Sequence, residues 1–288
     1  MLQGTGACWA TSVSSIGQYM IGKSISYSTI MNKIGTIGTV ENAVAGLKEF
    51  IYPGPAETPI NAQTNPGPLS DQYIFNWINS GIPVYAHLVP TDGDNAHAVV
   101  VCGCQNTLNG VFTVTVMNPG HGAREVMAKN TNNILALWYN EKYYHWTYSS
   151  VLLTGWQKPG NQARWVYIAG NNGLKTTGWL NYGGIYYCFN GNGEMYEDEW
   201  YNDGSNWYYL QAAGPMMKSG WLQLGSYWYA FNDSGAMRRG WYQDNKGDWY
   251  YLRTATNSPG TGPEGSMLAN GTWTINGKSY TFNASGVC

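Results

Sequence analysis

The sequence predicts two folds in one chain: an α+β domain with an N-terminal helix and an antiparallel sheet, then an all-β array of short hairpins. Three observations lead there. Apolar residues recur at helical spacing in the first eighty positions and at strand spacing in the next forty. All four histidines lie before residue 146. Nine of the fourteen tryptophans lie after residue 163, at a period near 20. The expected organisation is a first domain over 1–155, a linker over 156–163 and a repeat domain over 164–288.

The first element is a helix near residues 8–21. Ala10, Val13, Ile16, Gly17, Met20 and Ile21 form one apolar or small face, with Thr5 and Gly6 as its entry. Lys23 to Gly38 reads as a polar, Ile-rich connector. Val40 to Phe50 has a helical face at Val40, Ala43, Val44 and Leu47, and Tyr52 to Pro68 is Pro- and Gly-rich loop. Ser70 suits an N-cap for a helix through Ile78, which presents Ile74, Trp77 and Ile78. Strands are expected over Ile82 to Val89, Ala98 to Cys104 and Val111 to Met117, the last ending at Asn118-Pro119-Gly120. Arg124 to Leu153 carries no pattern that names an element.

Cys8 at the foot of the first helix is the chemically suggestive residue. The first turn of a helix offers unpaired N–H groups and the positive end of the dipole, which favour a thiolate. Such sites bring a cysteine pKa from roughly 8.5 down to about 3.5–7.5. Gln3, five residues upstream, carries an amide able to donate to an oxyanion formed when Cys8 attacks a carbonyl. One such donor is worth about 2.7–4 kcal/mol of barrier. The competing reading is a buried structural thiol.

A nucleophilic cysteine needs a base. His97 stands where a loop enters the strand beginning Ala98, and Asn118 stands at the end of the next strand. Adjacent antiparallel strands bring the two together, His97 to take the thiol proton and Asn118 to orient the ring through its side-chain oxygen. His121 is the rival base, but its Asn-Pro-Gly-His-Gly turn carries it outward. His87 reads as a strand residue, and His145 lies in an aromatic segment with no partner. Trp9 and the loop Thr91 to Asn95 are expected to border the cleft.

Gln3, the run Cys8-Trp9-Ala10, the run His97 to Gly103 and Val116-Met117-Asn118-Pro119 together resemble the papain-like cysteine peptidases. The likeness is to the bacterial branch that includes the staphopains and plant-pathogen effector peptidases. The resemblance covers about 1–155 and implies a papain-like α+β domain. In it Cys8 would be the nucleophile, His97 the base, Asn118 the orienting residue and Gln3 the oxyanion donor. The family often has aspartate at the Asn118 position, and the Asn-Ser-Trp of plant papains is here Asn118-Pro119-Gly120.

In the second half, Trp179, Trp200, Trp221 and Trp241 are spaced 21, 21 and 20 apart. Each is followed seven or eight residues later by an aromatic: Tyr186, Trp207, Trp228 and Trp249. Met195, Met216 and Met237 come sixteen after their leading tryptophan. Hairpins with Gly/Asn/Asp turns such as Asn190 to Gly193 or Asp233 to Gly235 are expected to stack, because one hairpin cannot bury its aromatics alone. The segment Asn257 to Ser266 interrupts the last unit as a surface loop. The pattern Gly-Trp, Trp-Tyr-Tyr, Gly-x-Met resembles the choline-binding or cell-wall-binding repeats of Gram-positive surface proteins, also similar to glucan-binding repeats.

That resemblance implies a solenoid of β-hairpins with aromatic cages between repeats. A quaternary ammonium has no N–H to satisfy and is held by aromatic faces, at about 0.5–2 kcal/mol. The candidate walls are Trp200 with Trp207, Trp221 with Trp228, and Trp241 with Trp249. Tyr229, Tyr250, Met216 and Met237 lie nearby. The first unit has Tyr186-Tyr187-Cys188 in place of Trp-Tyr-Tyr, which argues against a site there.

Net charge is −2 and charged residues are 11%, so nucleic acid is not an expected partner. There is no apolar run of 18, so membrane insertion is not expected. Met1 runs straight into the Cys8 segment without a signal-peptide pattern, as at a trimmed boundary with an added Met1. Five cysteines leave at least one unpaired in a monomer, and no cysteine–histidine cluster suggests a metal; no cofactor is expected. The expected function is a secreted or cell-surface cysteine endopeptidase cleaving peptide or protein substrates, held at a cell wall through choline or polysaccharide. The alternatives are a peptidoglycan amidase or endopeptidase and a non-catalytic surface adhesin whose Cys8 is inert.

Overall fold

The computed structural model describes residues 6–51, 61–93, 95–147, 149–160, 162–256 and 258–288. Gln3 lies outside them. The chain divides into one unit over 1–178 plus 189–194 and a second over 179–188 plus 195–288.

The first unit opens with α1 (Ala7–Ile21). Gly6, in the left-handed region at φ 64°, precedes it, and the N–H of Gly22 closes it on the Gln18 carbonyl. The buried face is Ala10, Val13, Ile16, Gly17 and Met20, as the spacing predicts, with Trp9 added. The stretch read as a connector contains a second helix, α2 (Tyr27–Ile34), which buries only Ile30; Ser26 caps it by accepting from the Thr29 N–H. Helix α3 (Val40–Phe50) is capped by Thr39 and α4 (Asp71–Asn79) by Ser70.

The described residues of this unit also form nine strands, β1 lying between α3 and α4: β1 (Asn61–Pro66), β2 (Val84–Pro90), β3 (His97–Asn106), β4 (Phe112–Asn118), β5 (Ala123–Lys129), β6 (Leu135–Tyr139), β7 (Lys142–His145), β8 (Ser149–Gln157) and β9 (Val166–Ile168). The expected antiparallel sheet is present, and it closes on itself. Strands β2 to β7 pair in sequence, and β7 returns to β2 through Val89 opposite His145 and Pro90 opposite Tyr144, making a six-stranded barrel. The other half of β2 pairs β8 at Tyr85–Val151 and Ala86–Ser150, which carries β1 and β9. Strand β1 replaces part of the expected Pro/Gly loop, and β5 to β8 occupy the stretch without a readable pattern.

The expected linker over 156–163 differs from what is observed. Strand β8 runs through Gln157, and Trp156 pairs with Tyr167 of β9, so backbone hydrogen bonding continues across that stretch. The break between units falls at Gly178.

Helix α1 packs on β3, and the Ser12 hydroxyl donates to the Ala98 carbonyl at 3.3 Å. Cys8 lies one turn before Ser12 on that helix face, and His97 immediately precedes Ala98. One contact thus sets the two reactive positions against each other.

Among the described residues the second unit is built on five hairpins: β10–β11 (Gly178–Tyr182, Ile185–Phe189), β12–β13 (Glu199–Asn202, Trp207–Leu210), β14–β15 (Gly220–Leu224, Tyr227–Phe231), β16–β17 (Gly240–Gln243, Trp249–Leu252) and β18–β19 (Gly271–Ile275, Lys278–Phe282). The Asp233 to Gly235 turn follows its hairpin instead of closing it; the hairpin turn is at Gly225. These connecting turns feed a repeated bond. Met216 N–H donates to Tyr186 O, Met237 to Trp207 O, Met267 to Trp228 O and Cys288 to Trp249 O, at 2.8, 2.8, 2.8 and 2.9 Å. The turn glycines are required by the methionines: a Cβ at Gly235 would collide with Met216, and one at Gly265 with Met237.

All five cysteines are free thiols. No helix among the described residues is long and apolar enough to cross a membrane. No group of side chains suited to a metal ion occurs among them.

Candidate active site and ligand cages

A cavity of about 350 Å³ opens where α1 meets the barrel. Cys8 and Thr11 line it from α1, Asn95 to His97 from the entry to β3, and Pro119-Gly120 from the turn after β4. Tyr139, Asn140, Lys142 and Tyr144 close it from the β6–β7 hairpin. Asn95 borders it as expected, but Trp9 does not. Trp9 has no exposed surface, because it points from α1 into the core opposite Cys8.

His97 is the first residue of β3 and Asn118 the last of β4, paired antiparallel through Val100–Met117 and Val101–Val116. A bulge at Cys102 interrupts the ladder beyond them. His97 Nε2 meets Asn118 Oδ1 at 2.8 Å, and both side chains are buried. The Gly120 N–H also donates to Asn118 Oδ1, at 3.0 Å. Using Nε2 for Asn118 leaves Nδ1 as the nitrogen available to a thiol proton. His121 is exposed on the turn and bonds Glu125 through Nδ1, as its outward reading predicts.

Burial pushes the Cys8 thiol up, against smaller lowering effects from the backbone of Ala98, Trp9 and Cys8 itself. The expected depression by the helix terminus is therefore outweighed: the sulfur is desolvated, and the first-turn amides do not fully compensate. Burial also pushes the His97 imidazole down, opposed by its Asn118 bond and the Glu125 charge. Each charge alone is disfavoured in this site.

Two residues escaped the sequence reading. Tyr139 stacks on His97, with ring centroids 4.7 Å apart and planes at 12°, and Tyr144 lies tilted at 5.6 Å. Tyr139 covers one face of the His97 ring. Glu125 on β5 accepts from Asn118 Nδ2 at 3.0 Å. Nothing in the local pattern marks either residue, since both reach the site through the barrel pairing. Gln3, expected beside Cys8, lies outside the described residues.

In the second unit the aromatic rings meet between successive hairpins. Trp179–Tyr208, Trp200–Tyr229, Trp221–Tyr250 and Trp241–Tyr280 have centroid separations of 5.0, 5.0, 4.9 and 4.7 Å, all edge-on. Within hairpins, Trp200–Trp207 and Trp241–Trp249 stand at 6.4 and 6.1 Å. Trp228 sits diagonal to Trp221, opposite Gln223, and is exposed. One cavity of about 270 Å³ is lined by Trp200, Trp207, Tyr229 and Met237, with Pro263 and Glu264 from the interrupting loop. A second of about 390 Å³ is lined by Trp179, Tyr186, Tyr208 and Met216, with Asp233 and Ser234.

That second cavity stands at the first repeat, where the sequence argued against a site. A tyrosine face serves as a wall there where a tryptophan was expected. Tyr208 and Tyr280 were missed because each meets the tryptophan of the preceding hairpin. Only the spacing of 29 residues from Trp179 to Tyr208, Trp200 to Tyr229 and Trp221 to Tyr250 could have revealed the rule.

Comparison with known proteins separates the same two parts. Residues 1–135 match the family model described as papain-like cysteine protease AvrRpt2. Residues 177–195, 198–216, 219–237 and 240–254 match the putative cell wall binding repeat. Among solved structures, the chain is similar to CbpJ of Streptococcus pneumoniae, at 29% identity over 57% of this chain and 56% of that one, with a TM-score of 0.42. It is similar to choline binding protein F of Streptococcus pneumoniae, at 28% identity over 57% and 55%, with a TM-score of 0.40. A pneumococcal cell wall endolysin from phage Cp-1, complexed with choline, gives 28% over 49% and 42%, with a TM-score of 0.33. The chain spans about half the length of the solved structures it matches. No curated protein matches it.

Proposed function

We infer, from a chain that joins a papain-like cysteine protease domain to choline-binding repeats, that it is a cysteine endopeptidase acting at a choline-bearing cell wall. Cys8 is the nucleophile and His97 the base. The His97–Asn118 bond of 2.8 Å in the cavity that Cys8 lines is the observation that carries this reading.

In the proposed cycle His97 Nδ1 takes the Cys8 proton, and Asn118 holds the ring at that angle. The sulfur attacks a peptide carbonyl. The oxyanion is met by the N–H of Cys8, which in the first turn of α1 has no helix carbonyl to bond, and by the Gln3 amide. His97 then returns its proton to the leaving amine, and water hydrolyses the thioester. The repeats supply local concentration by tethering. Cages of the Trp200–Trp207–Tyr229–Met237 kind suit a quaternary ammonium, since three of the lining side chains are aromatic rings and a fourth is a polarisable thioether, with Glu264 adding an acidic group at the same cavity. Secretion and cell-surface localisation belong to the same proposal.

The test is hydrolysis of a peptide library by the full chain and its Cys8→Ala variant, with retention on a choline matrix measured in parallel. The reading requires that Cys8→Ala lose hydrolysis and keep retention. Clearing of purified cell walls without cleavage of protein substrates would assign a peptidoglycan hydrolase instead.

A further inference from the structure

The side chains around His97 close into a ring. His97 bonds Asn118, and Asn118 Nδ2 donates to Glu125 Oε2 at 3.0 Å. Glu125 Oε1 bonds His121 Nδ1, His121 meets the edge of Tyr139 at 4.7 Å, and Tyr139 stacks back on His97. The ring is built on the β4–β5 hairpin. Asn118 pairs with Ala123 and Val116 with Glu125, so Glu125 reaches Asn118 diagonally across the ladder.

An asparagine amide can present either its oxygen or its NH2 to a histidine. Only the oxygen accepts from an imidazolium. A carboxylate is acceptor-only, so its contact with Nδ2 selects the orientation that turns Oδ1 toward His97. Gly120 N–H, donating to the same Oδ1, supports that choice.

We propose that Glu125 is a positioning residue for the thiolate–imidazolium pair: it locks the Asn118 amide with its oxygen on His97 and lends negative charge to the protonated ring through that amide. This rests on the peptidase reading above. The ionisable groups facing His97 are Cys8 on α1, His87 on β2, Glu125 and His121 on the β4–β5 hairpin, the phenols Tyr139 and Tyr144, and, lining the same cavity, Lys142, which is ion-paired with Asp92. Among the described residues Glu125 is the carboxylate whose charge acts on His97. Its charge favours protonated His97, whereas His121 and His87 oppose it. The carboxylate side chain is 20% exposed, so its charge is partly screened.

The experiment uses the full chain and the variants Glu125→Gln and Glu125→Asp. The first readout is kcat/KM against pH. In Glu125→Gln the alkaline limb, which reports deprotonation of His97, moves to lower pH by roughly half a unit. A charge within about 4–6 Å shifts a pKa by 1–3 units, and this one acts from beyond Asn118. kcat falls while KM changes little, and Glu125→Asp, which keeps the charge, moves back toward wild type. A merely structural residue would lower stability and leave the limb in place.

The second readout is the pH dependence of Cys8 alkylation by iodoacetamide, which needs no peptide substrate. Wild type should show a reactive plateau below the ionisation range of an ordinary thiol, diminished in Glu125→Gln. Identical profiles in the two folded proteins, with the wild-type plateau present, would overturn the role of Glu125 alone. A wild-type Cys8 that ionises only as an ordinary thiol would overturn the peptidase reading and this inference with it.

Discussion

Replacing Tyr139 by alanine removes the roof of His97. The ring is 4% exposed and stacked on the imidazole at 4.7 Å, and a Cβ at Gly120 would collide with its hydroxyl end. Two effects follow, and they are separable. Truncating a buried aromatic to alanine costs about 3–5 kcal/mol of stability. Tyr139 also borders the cavity, where the gap can fill with water, so about 3 kcal/mol is expected from urea unfolding. A stacked ring pair is worth about 0.5–1.5 kcal/mol beyond its buried area. If that part holds the imidazole in place, kcat/KM falls by roughly twofold to tenfold at temperatures where the variant remains folded. Tyr139→Phe keeps the stack and should retain most of the activity. Unchanged kcat/KM in a folded Tyr139→Ala, or an equal loss in Tyr139→Phe, would refute the role given to the stack.

Three further outcomes are expected. Trp200→Ala opens the cage with Trp207 and Tyr229, and isothermal titration with choline should report one binding site fewer while the remaining sites keep their affinity. Gly235→Ala places a methyl against Met216 at a backbone φ of 83°, so it should lower the unfolding midpoint and weaken choline binding at the cage Met216 lines. His97 and His87 are both pushed down by burial, so near pH 6 the unfolded chain binds more protons than the folded one. Stability therefore rises with pH through that window and falls on acidification below about 6.5, and the drop in urea midpoint from pH 7.5 to 5.5 should shrink in His97→Gln.

Local signals were legible and long-range ones were not. α1, α3 and α4 stand where apolar spacing and the Ser70 cap put them, and β3 and β4 where Val-rich runs meet Asn118. α2 was hidden because it buries Ile30 alone, and β1 because Asn-Ala-Gln-Thr-Asn-Pro buries only Ala62. Closure of the barrel depends on β2 meeting β7 across more than fifty residues of chain, which no window reveals. Tyr139 and Glu125 reach His97 only through that closure and the β4–β5 register, so the candidate site was readable as Cys8, His97 and Asn118 and no further. In the repeats the tryptophan period was plain. The ring that each following hairpin adds was read in part: Tyr229 and Tyr250 were among the candidates, while Tyr208 and Tyr280 were not.

The most direct test of the central claim is intact mass after treatment with E-64 at neutral pH, followed by peptide mapping. The account predicts a single adduct on Cys8, lost in His97→Ala. A folded, reduced protein that gains no adduct, or a His97→Ala variant labelled as fast as wild type, would contradict it.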